Sequence, residues 1–431
     1  MMDPNREHWN RASHFLPGGV CASARVHKGL GGPFYLSRAE GGKVYDLAGN
    51  EYIDLCTSFG SALLGHGHPR VKEAVSQALE LGLMCAYENQ WHARLAERIV
   101  EAVPGVEMLR FTMSGTETTN YAVKLAREYT GRSLLVKFEG HFHGFNDYLA
   151  YNYWPAPDEA LPHFTPAAAG LPACLQEDCL VLPFNDFERA EETLARRGHE
   201  IAAVILEPVN YNSGTILPAP GFLELLRRLT AGQGSLLIFD EILSGFRTGP
   251  GCMQAAYGVT PDLCTLGKAL GGGMPLSAFG GKREIMAHVA PLGRAQHSGT
   301  YNGHLSAIAG GLAFFDVIGK AGCYTDLLAR SRRLYAGIDE IMQRLGFAGR
   351  VQGFGARFSF LFGPPAGRTL RNYHDVVDYD WPLFHRFCLA CQRHGVYLHT
   401  MWHHGLSTAH SDADVDRALE GIEAALRDTK T

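Results

Sequence analysis

The chain reads as an α/β protein: a large domain around a mostly parallel sheet flanked by helices, plus a smaller α+β domain. Three observations predict this. Short, largely apolar runs at Leu134–Phe138, Ile201–Leu206, Leu236–Phe239 and Leu263–Leu266 match strands buried on both faces of a parallel sheet. Stretches of helical period separate them, as crossovers between parallel strands require. Finally, 431 residues exceed what one small core organises, so a large domain and a smaller one are expected. The divisions read from the sequence are an N-terminal arm with part of the small domain over 1–60, the large domain over 61–310, and the C-terminal small domain over 311–431.

The bulk composition narrows the function. With 46% hydrophobic and 19% charged residues, the chain has the composition of an ordinary globular protein. Net charge is −5, dispersed and without a basic run, which argues against nucleic acid or an anionic membrane as partner. No apolar stretch reaches the roughly 18 residues of a membrane span, and the charged start MMDPNREHWNR lacks the apolar centre of a secretory signal. Ten cysteines fall without framework spacing, and the close pair Cys388 and Cys391 lies in a helical stretch, so reduced, buried thiols are expected. The run His399–His404 has no spaced carboxylate or cysteine to complete a metal site. A cytoplasmic, metal-free protein is the expectation.

Taken in order, Gly41–Leu55 reads as a hairpin around Ala48-Gly49-Asn50. Pro69 is placed to begin a helix over Arg70–Leu81, and Trp91–Val103 carries a fourfold apolar stripe that Pro104-Gly105 ends. After the short strand Met108–Phe111 comes the turn Ser114-Gly115-Thr116 and a helix over Glu117–Tyr129. Tyr151–Phe184 is rich in proline and predicts a long structureless loop, a lid or an oligomer contact. A helix over Gly221–Thr230 precedes the central stretch, and the Ala/Gly-rich helix Leu305–Gly319 leads toward the second domain. There, strands are expected over Val351–Leu361 and Val396–His399, and helices from Trp381 through His394 and after a capping box at Ser411 and Asp414.

The chemistry gathers in Leu236–Leu276. Asp240 stands at the end of one apolar run and Lys268 just beyond another, so both reach the carboxyl edge of the sheet, where ligands of such sheets bind. An acid and an amine at one edge suit pyridoxal phosphate, the lysine forming a Schiff base and the aspartate pairing with the pyridine nitrogen. Singly, each has a plainer reading, as a helix cap or a solvated lysine. The Ser-Gly-Thr turn is either a phosphate cradle at a helix N-terminus or an ordinary cap. Phe142 either lies on a planar ring or belongs to the core, and Arg25 sits in a polar loop that solvent would suit equally.

Six motifs, SGTET, KFEGHFHG, EPVNYN, LLIFDEILSGFR, PDLCTLGKALGGGMP and GTYNGH, occur in the order found in class III pyridoxal-phosphate-dependent aminotransferases. The chain resembles that family over nearly its whole length, most closely the group around glutamate-1-semialdehyde 2,1-aminomutase. The resemblance implies the fold type I of pyridoxal-phosphate-dependent transferases. It also implies that Lys268 carries the Schiff base and shuttles the proton, and that Asp240 holds the pyridine nitrogen protonated. Ile242 and Phe142 would cover the two ring faces, and Ser114, Gly115 and Thr116 would hold the phosphate. Glu207 and Asn212 would lie near the ring hydroxyl, and Arg25 would take the substrate carboxylate. Thr300 would reach the phosphate of a neighbouring subunit, making a homodimer.

Two departures mark this chain. Phe142 stands where the aminomutase carries a tyrosine, and the segment His399–His410 lacks the carboxylate that would meet a second amine, offering Trp402, His403 and His404 instead. On these grounds the expectation is a ping-pong aminotransferase acting between an amine or amino-acid donor and a keto or aldehyde acceptor. Intramolecular transfer by an aminomutase is the alternative.

Overall fold

In the computed structural model, residues 4–82, 84, 86–155, 164–363 and 368–430 are described. Two compact units divide the chain: residues 69–321 with 369–377 form one, and residues 1–68, 322–368 and 378–431 form the other.

The larger unit is built on seven strands, β1 (Met108–Thr112), β2 (Leu134–Phe138), β3 (Cys179–Leu182), β4 (Ile201–Leu206), β5 (Leu236–Glu241), β6 (Leu263–Leu266) and β7 (Ser277–Gly281). Their order across the sheet is β1-β7-β6-β5-β4-β2-β3. The neighbours from β6 through β3 pair in parallel, and β7 runs antiparallel to both β6 and β1. A mostly parallel sheet follows from the sequence, since β2, β4, β5 and β6 are buried at every position and so must be covered on both faces.

The helix Gly115–Thr130 supplies part of that cover. Ala122, Val123, Leu125 and Ala126 pack with Leu135, Ala203, Ile205, Ile238, Leu263 and Phe279 in one apolar cluster. Burying one such leucine or isoleucine contributes about 1.5–3 kcal/mol. Ser114 caps the helix, its Oγ accepting the Glu117 N–H at 3.2 Å, and Gly131, at φ 68°, ends it in the left-handed conformation that glycine adopts without penalty.

Two elements depart from the sequence expectation. The proline-rich stretch Tyr151–Phe184 contains β3 and a 3-10 turn over Ala173–Asp178; Pro157 and Pro162 lie outside the described residues. The four residues Cys179-Leu180-Val181-Leu182 form a strand because they need only one partner, β2, at the sheet's edge, and Pro183 stops the pairing. Strand β7 also escapes the apolar-run criterion, because it reads Ser-Ala-Phe-Gly-Gly. Its glycines fit close approach: a Cβ at Gly280 would lie 2.7 Å from the Met108 carbonyl oxygen, and one at Gly281 2.1 Å from that of Asp262.

The smaller unit contains a four-stranded sheet ordered Val396–Tyr397, Glu51–Asp54, Lys43–Asp46, Leu36–Glu40, which includes the expected hairpin. A three-stranded sheet joins Gly349–Phe354, Arg357–Phe362 and His404–Gly405. The same unit holds helices Pro4–Ala12, Cys323–Arg344, Trp381–Arg393 and Asp412–Lys430 and an antiparallel pair, Val26–His27 with Gly32–Pro33. No single described helix is long and apolar enough to cross a membrane, although the bent pair Leu305–Ile318 and Cys323–Arg344 passes by length and composition. Among the described residues, no group of three or more His, Cys, Asp or Glu could hold a metal ion.

Candidate active site

The parallel register of β5 and β6 sets Asp240 opposite Thr265, and Lys268 follows two residues after β6 ends. Asp240 is 3% exposed, and three donors converge on it. Its Oδ1 accepts the Thr265 hydroxyl at 3.0 Å and the Ile242 N–H at 3.1 Å, while His143 Nδ1 lies 2.6 Å from Oδ2. A buried carboxylate is tolerated when hydrogen bonds compensate its lost hydration, and here they come from β6, from the turn after β5 and from the loop after β2.

Lys268 is half-buried and takes φ 44°, a conformation that lysine rarely adopts. Such a value outside glycine is held by its surroundings and is typical of functional positions. Gly267 just before it has no room for a side chain, since a Cβ there would fall 2.7 Å from Ser277 Oγ and 2.9 Å from Ile242 Cδ1. A Cβ on Gly115 would likewise meet Ile242, 3.2 Å from its Cγ2. Ile242 therefore stands between the Ser114–Thr116 turn and the backbone leading to Lys268.

The loop after β2 joins Phe142, Glu207 and Asn212. The Phe142 N–H donates to Glu207 Oε1 at 2.8 Å, and Asn212 Nδ2 donates to Oε2 at 2.9 Å. Burial, aided by the negative charge of Asp240, pushes the Glu207 carboxyl above the usual carboxylate range. The Phe142 ring lies nearly parallel to Trp154, centroids 6.1 Å apart, and against Tyr153 at 4.7 Å. The loop is stitched to the helix of the turn: the Phe145 N–H donates to Thr116 Oγ1 at 3.1 Å, and the Thr119 hydroxyl donates to the His143 carbonyl at 2.8 Å. Gly144, at φ 83°, is required here, because a Cβ would sit 2.4 Å from Thr116 Oγ1.

Thr300 is exposed in a turn fastened to the same helix. Asn302 Nδ2 donates to Glu117 Oε1 at 3.1 Å, and the Tyr121 hydroxyl donates to the Ser298 carbonyl at 2.8 Å. In the smaller unit, Arg25 is exposed in the 3-10 turn Ser23–Arg25. The aromatic bulk of the C-terminal segment is internal there: Trp402 packs between Tyr379 and Trp381, centroids 4.5 and 4.7 Å away. His403 Nδ1 lies 2.6 Å from Nη2 of the buried Arg357.

Sequence reasoning missed His143, Thr265, Tyr153 and Trp154. Thr265 was within reach, because pairing the two strands in parallel puts it beside Asp240. His143 was not, since its partner lies 97 residues away.

A family model for class-III aminotransferases matches residues 26–426. The chain belongs to the class-III aminotransferases. A glutamate-1-semialdehyde 2,1-aminomutase from Desulforudis audaxviator is 41% identical over 419 residues, 96% of each chain. The crystal structure of an omega-transaminase from Sphaerobacter thermophilus superposes with a TM-score of 0.94 at 32% identity, covering 100% of this chain and 98% of that one. A transaminase with pyridoxal phosphate bound gives 0.90 at 25% identity, covering 100% and 99%. The mostly parallel sheet flanked by helices, with the likeness to the omega-transaminase, is that of fold type I. The expectation of intermolecular transfer fares less well than its alternative, because the curated relative carries the aminomutase name and Trp402 is taken up by internal packing.

Proposed function

We propose that this class-III enzyme moves an amino group within a single molecule, as a glutamate-1-semialdehyde 2,1-aminomutase. The cofactor is pyridoxal 5'-phosphate, and the residues present fit it: a compensated buried carboxylate, an amine on the neighbouring strand's end, and a helix N-terminus where a Cβ on Gly115 would press on Ile242 at 3.2 Å. When bound, it supplies the electron sink that allows a proton to leave the carbon bearing the amino group.

Each residue then has a task. Lys268 would tether the cofactor through its amine and carry the proton to and from the substrate carbon. Asp240 would keep a proton on the ring nitrogen, backed by His143, Thr265 and the Ile242 N–H. Ser114, Gly115 and Thr116 would hold the phosphate with the positive end of the helix Gly115–Thr130. Ile242 and Phe142 would cover the ring faces, Glu207 and Asn212 would face its hydroxyl, and Arg25 would take a substrate carboxylate. In a homodimer, Thr300 would reach the neighbour's phosphate. We place the enzyme in the cytoplasm, with small molecules as its substrates.

The observation that carries the intramolecular reading is the 41% identity across 96% of both chains with an aminomutase. The second reading, transfer between two molecules, is favoured by the absence of Asp or Glu from His399–His410 and by the likeness to an omega-transaminase. Supplying glutamate-1-semialdehyde alone separates them. Steady turnover to the isomeric amine without any donor or acceptor is expected. Turnover that stops after about one equivalent and resumes only when a separate keto or aldehyde acceptor is added would replace the first reading by the second.

A further inference from the structure

Lys137 lies in β2 and is fully buried among Leu135, Val136 and Phe138. Its Nζ donates to the carbonyl of Leu149 at 3.0 Å and to that of Tyr151, and it sits 4.2 Å from the centre of the Tyr153 ring. Among the described residues no carboxylate pairs with it. Two carbonyls and a π face offer three electron-rich surfaces, matching the three N–H bonds of an ammonium; a neutral amine would turn its lone pair toward the ring. Burial pushes the lysine's pKa down, to about 7, while Cys179, Glu207 and Glu139 draw it back up.

The Tyr153 hydroxyl carries the contact onward. It donates to the Gly144 carbonyl and accepts the His143 N–H at 3.3 Å, while its ring abuts Phe142. We infer that Lys137 is a positioning residue: its buried ammonium fixes Tyr153, and through the Tyr153 hydroxyl the backbone of His143–Gly144, so that the His143 ring meets Asp240. The inference deepens the proposed function and rests on Asp240 being the cofactor's anchor. Burial is the main cause that lowers the basicity of His141 and His143, and the Lys137 charge adds to it, while the Asp240 carboxylate, 2.6 Å from His143 Nδ1, acts the other way on His143.

The test reads His143 directly, in the holoenzyme and in the cofactor-free chain, through the downfield proton NMR signal of its Nδ1–H, assigned by its loss in His143→Gln. Lys137→Met should shift that signal, raise the pH at which His143 gains its second proton, and lower kcat by about tenfold or more with a much smaller change in KM. Tyr153→Phe, which removes one oxygen and leaves the charge, should shift the signal with little change in the titration. An unmoved signal in both variants overturns the inference, whatever happens to the melting temperature. If Lys137→Met does not fold, an unmoved signal in Tyr153→Phe overturns it alone. Shifts seen in a chain that binds no pyridoxal phosphate would uphold the inference while the cofactor's place failed.

Discussion

Two acids stand at the ends of adjacent parallel strands, Asp240 on β5 and Glu207 just beyond β4, and their surroundings differ. Asp240 receives three donors from three separate segments, one of them an imidazole. Glu207 receives two, a backbone N–H and an amide, and lies within the field of Asp240. Burial first, and then the negative charge of Asp240, raises the Glu207 carboxyl above the usual carboxylate range. If Asp240 is the cofactor's anchor, as proposed, its three donors hold it more firmly than two hold Glu207.

The largest effect expected near this pair is outside it. Under the proposed assignment Lys268→Ala removes the proton-transfer group and should lower turnover by about 10⁴-fold, and borohydride should no longer attach the cofactor's mass to the chain. Between the acids, Asp240→Asn should lower kcat by about 10²–10³-fold. Glu207→Gln should lower it by about tenfold, because the amide keeps an acceptor for the Phe142 N–H and Asn212 can turn its own amide. Steady-state rates on the three holoenzymes check the ranking; equal losses for the two acids would dissolve the distinction.

Melting of the cofactor-free chain sharpens the comparison. Burial raises the folded-state pKa of Glu207 to about 8. A raised carboxyl gives stability that is fully present below its unfolded value and lost as pH rises through the folded one. Glu207→Gln should therefore gain stability relative to the parent between pH 5 and pH 9. Glu241, raised to about 7 by burial and bonded to the Met253 N–H and Gln254, should behave alike on Glu241→Gln. Taking the difference from the parent matters, because Lys137, with its lowered pKa, contributes the opposite trend. A difference that shrinks with rising pH would contradict the assignment.

The placement of Asp240 and Lys268 at the carboxyl ends of neighbouring strands was legible because the apolar runs Leu236–Phe239 and Leu263–Leu266 lead up to them. The long helices were legible from their stripes, to within a few residues at Pro69–Glu80 and Leu305–Ile318. Strand β7 was not, because its glycines answer to contacts with Met108 and Asp262 that only the folded sheet creates. His143 was hidden for the same reason, since its neighbour in space is fixed by the path of β2 beside β4 and β4 beside β5. In the C-terminal segment, Trp402 stood in the sequence where a carboxylate was missing, yet Tyr379 and Trp381 enclose it.

The smallest effect separates the donors on Asp240 from one another. Thr265→Val keeps the shape of the side chain and a β-branched residue in β6, but withdraws the hydroxyl that meets Oδ1 at 3.0 Å. One hydrogen bond to a charged group is worth about 1.5–3 kcal/mol, yet Oδ1 retains the Ile242 N–H and Oδ2 retains His143. Those remaining donors should hold the carboxylate in place, so the loss in kcat should stay within about tenfold, well short of Asp240→Asn. Cofactor affinity and kcat measured together decide it. A loss as large as that of Asp240→Asn would mean that the threonine, and not the set of three, fixes the anchor.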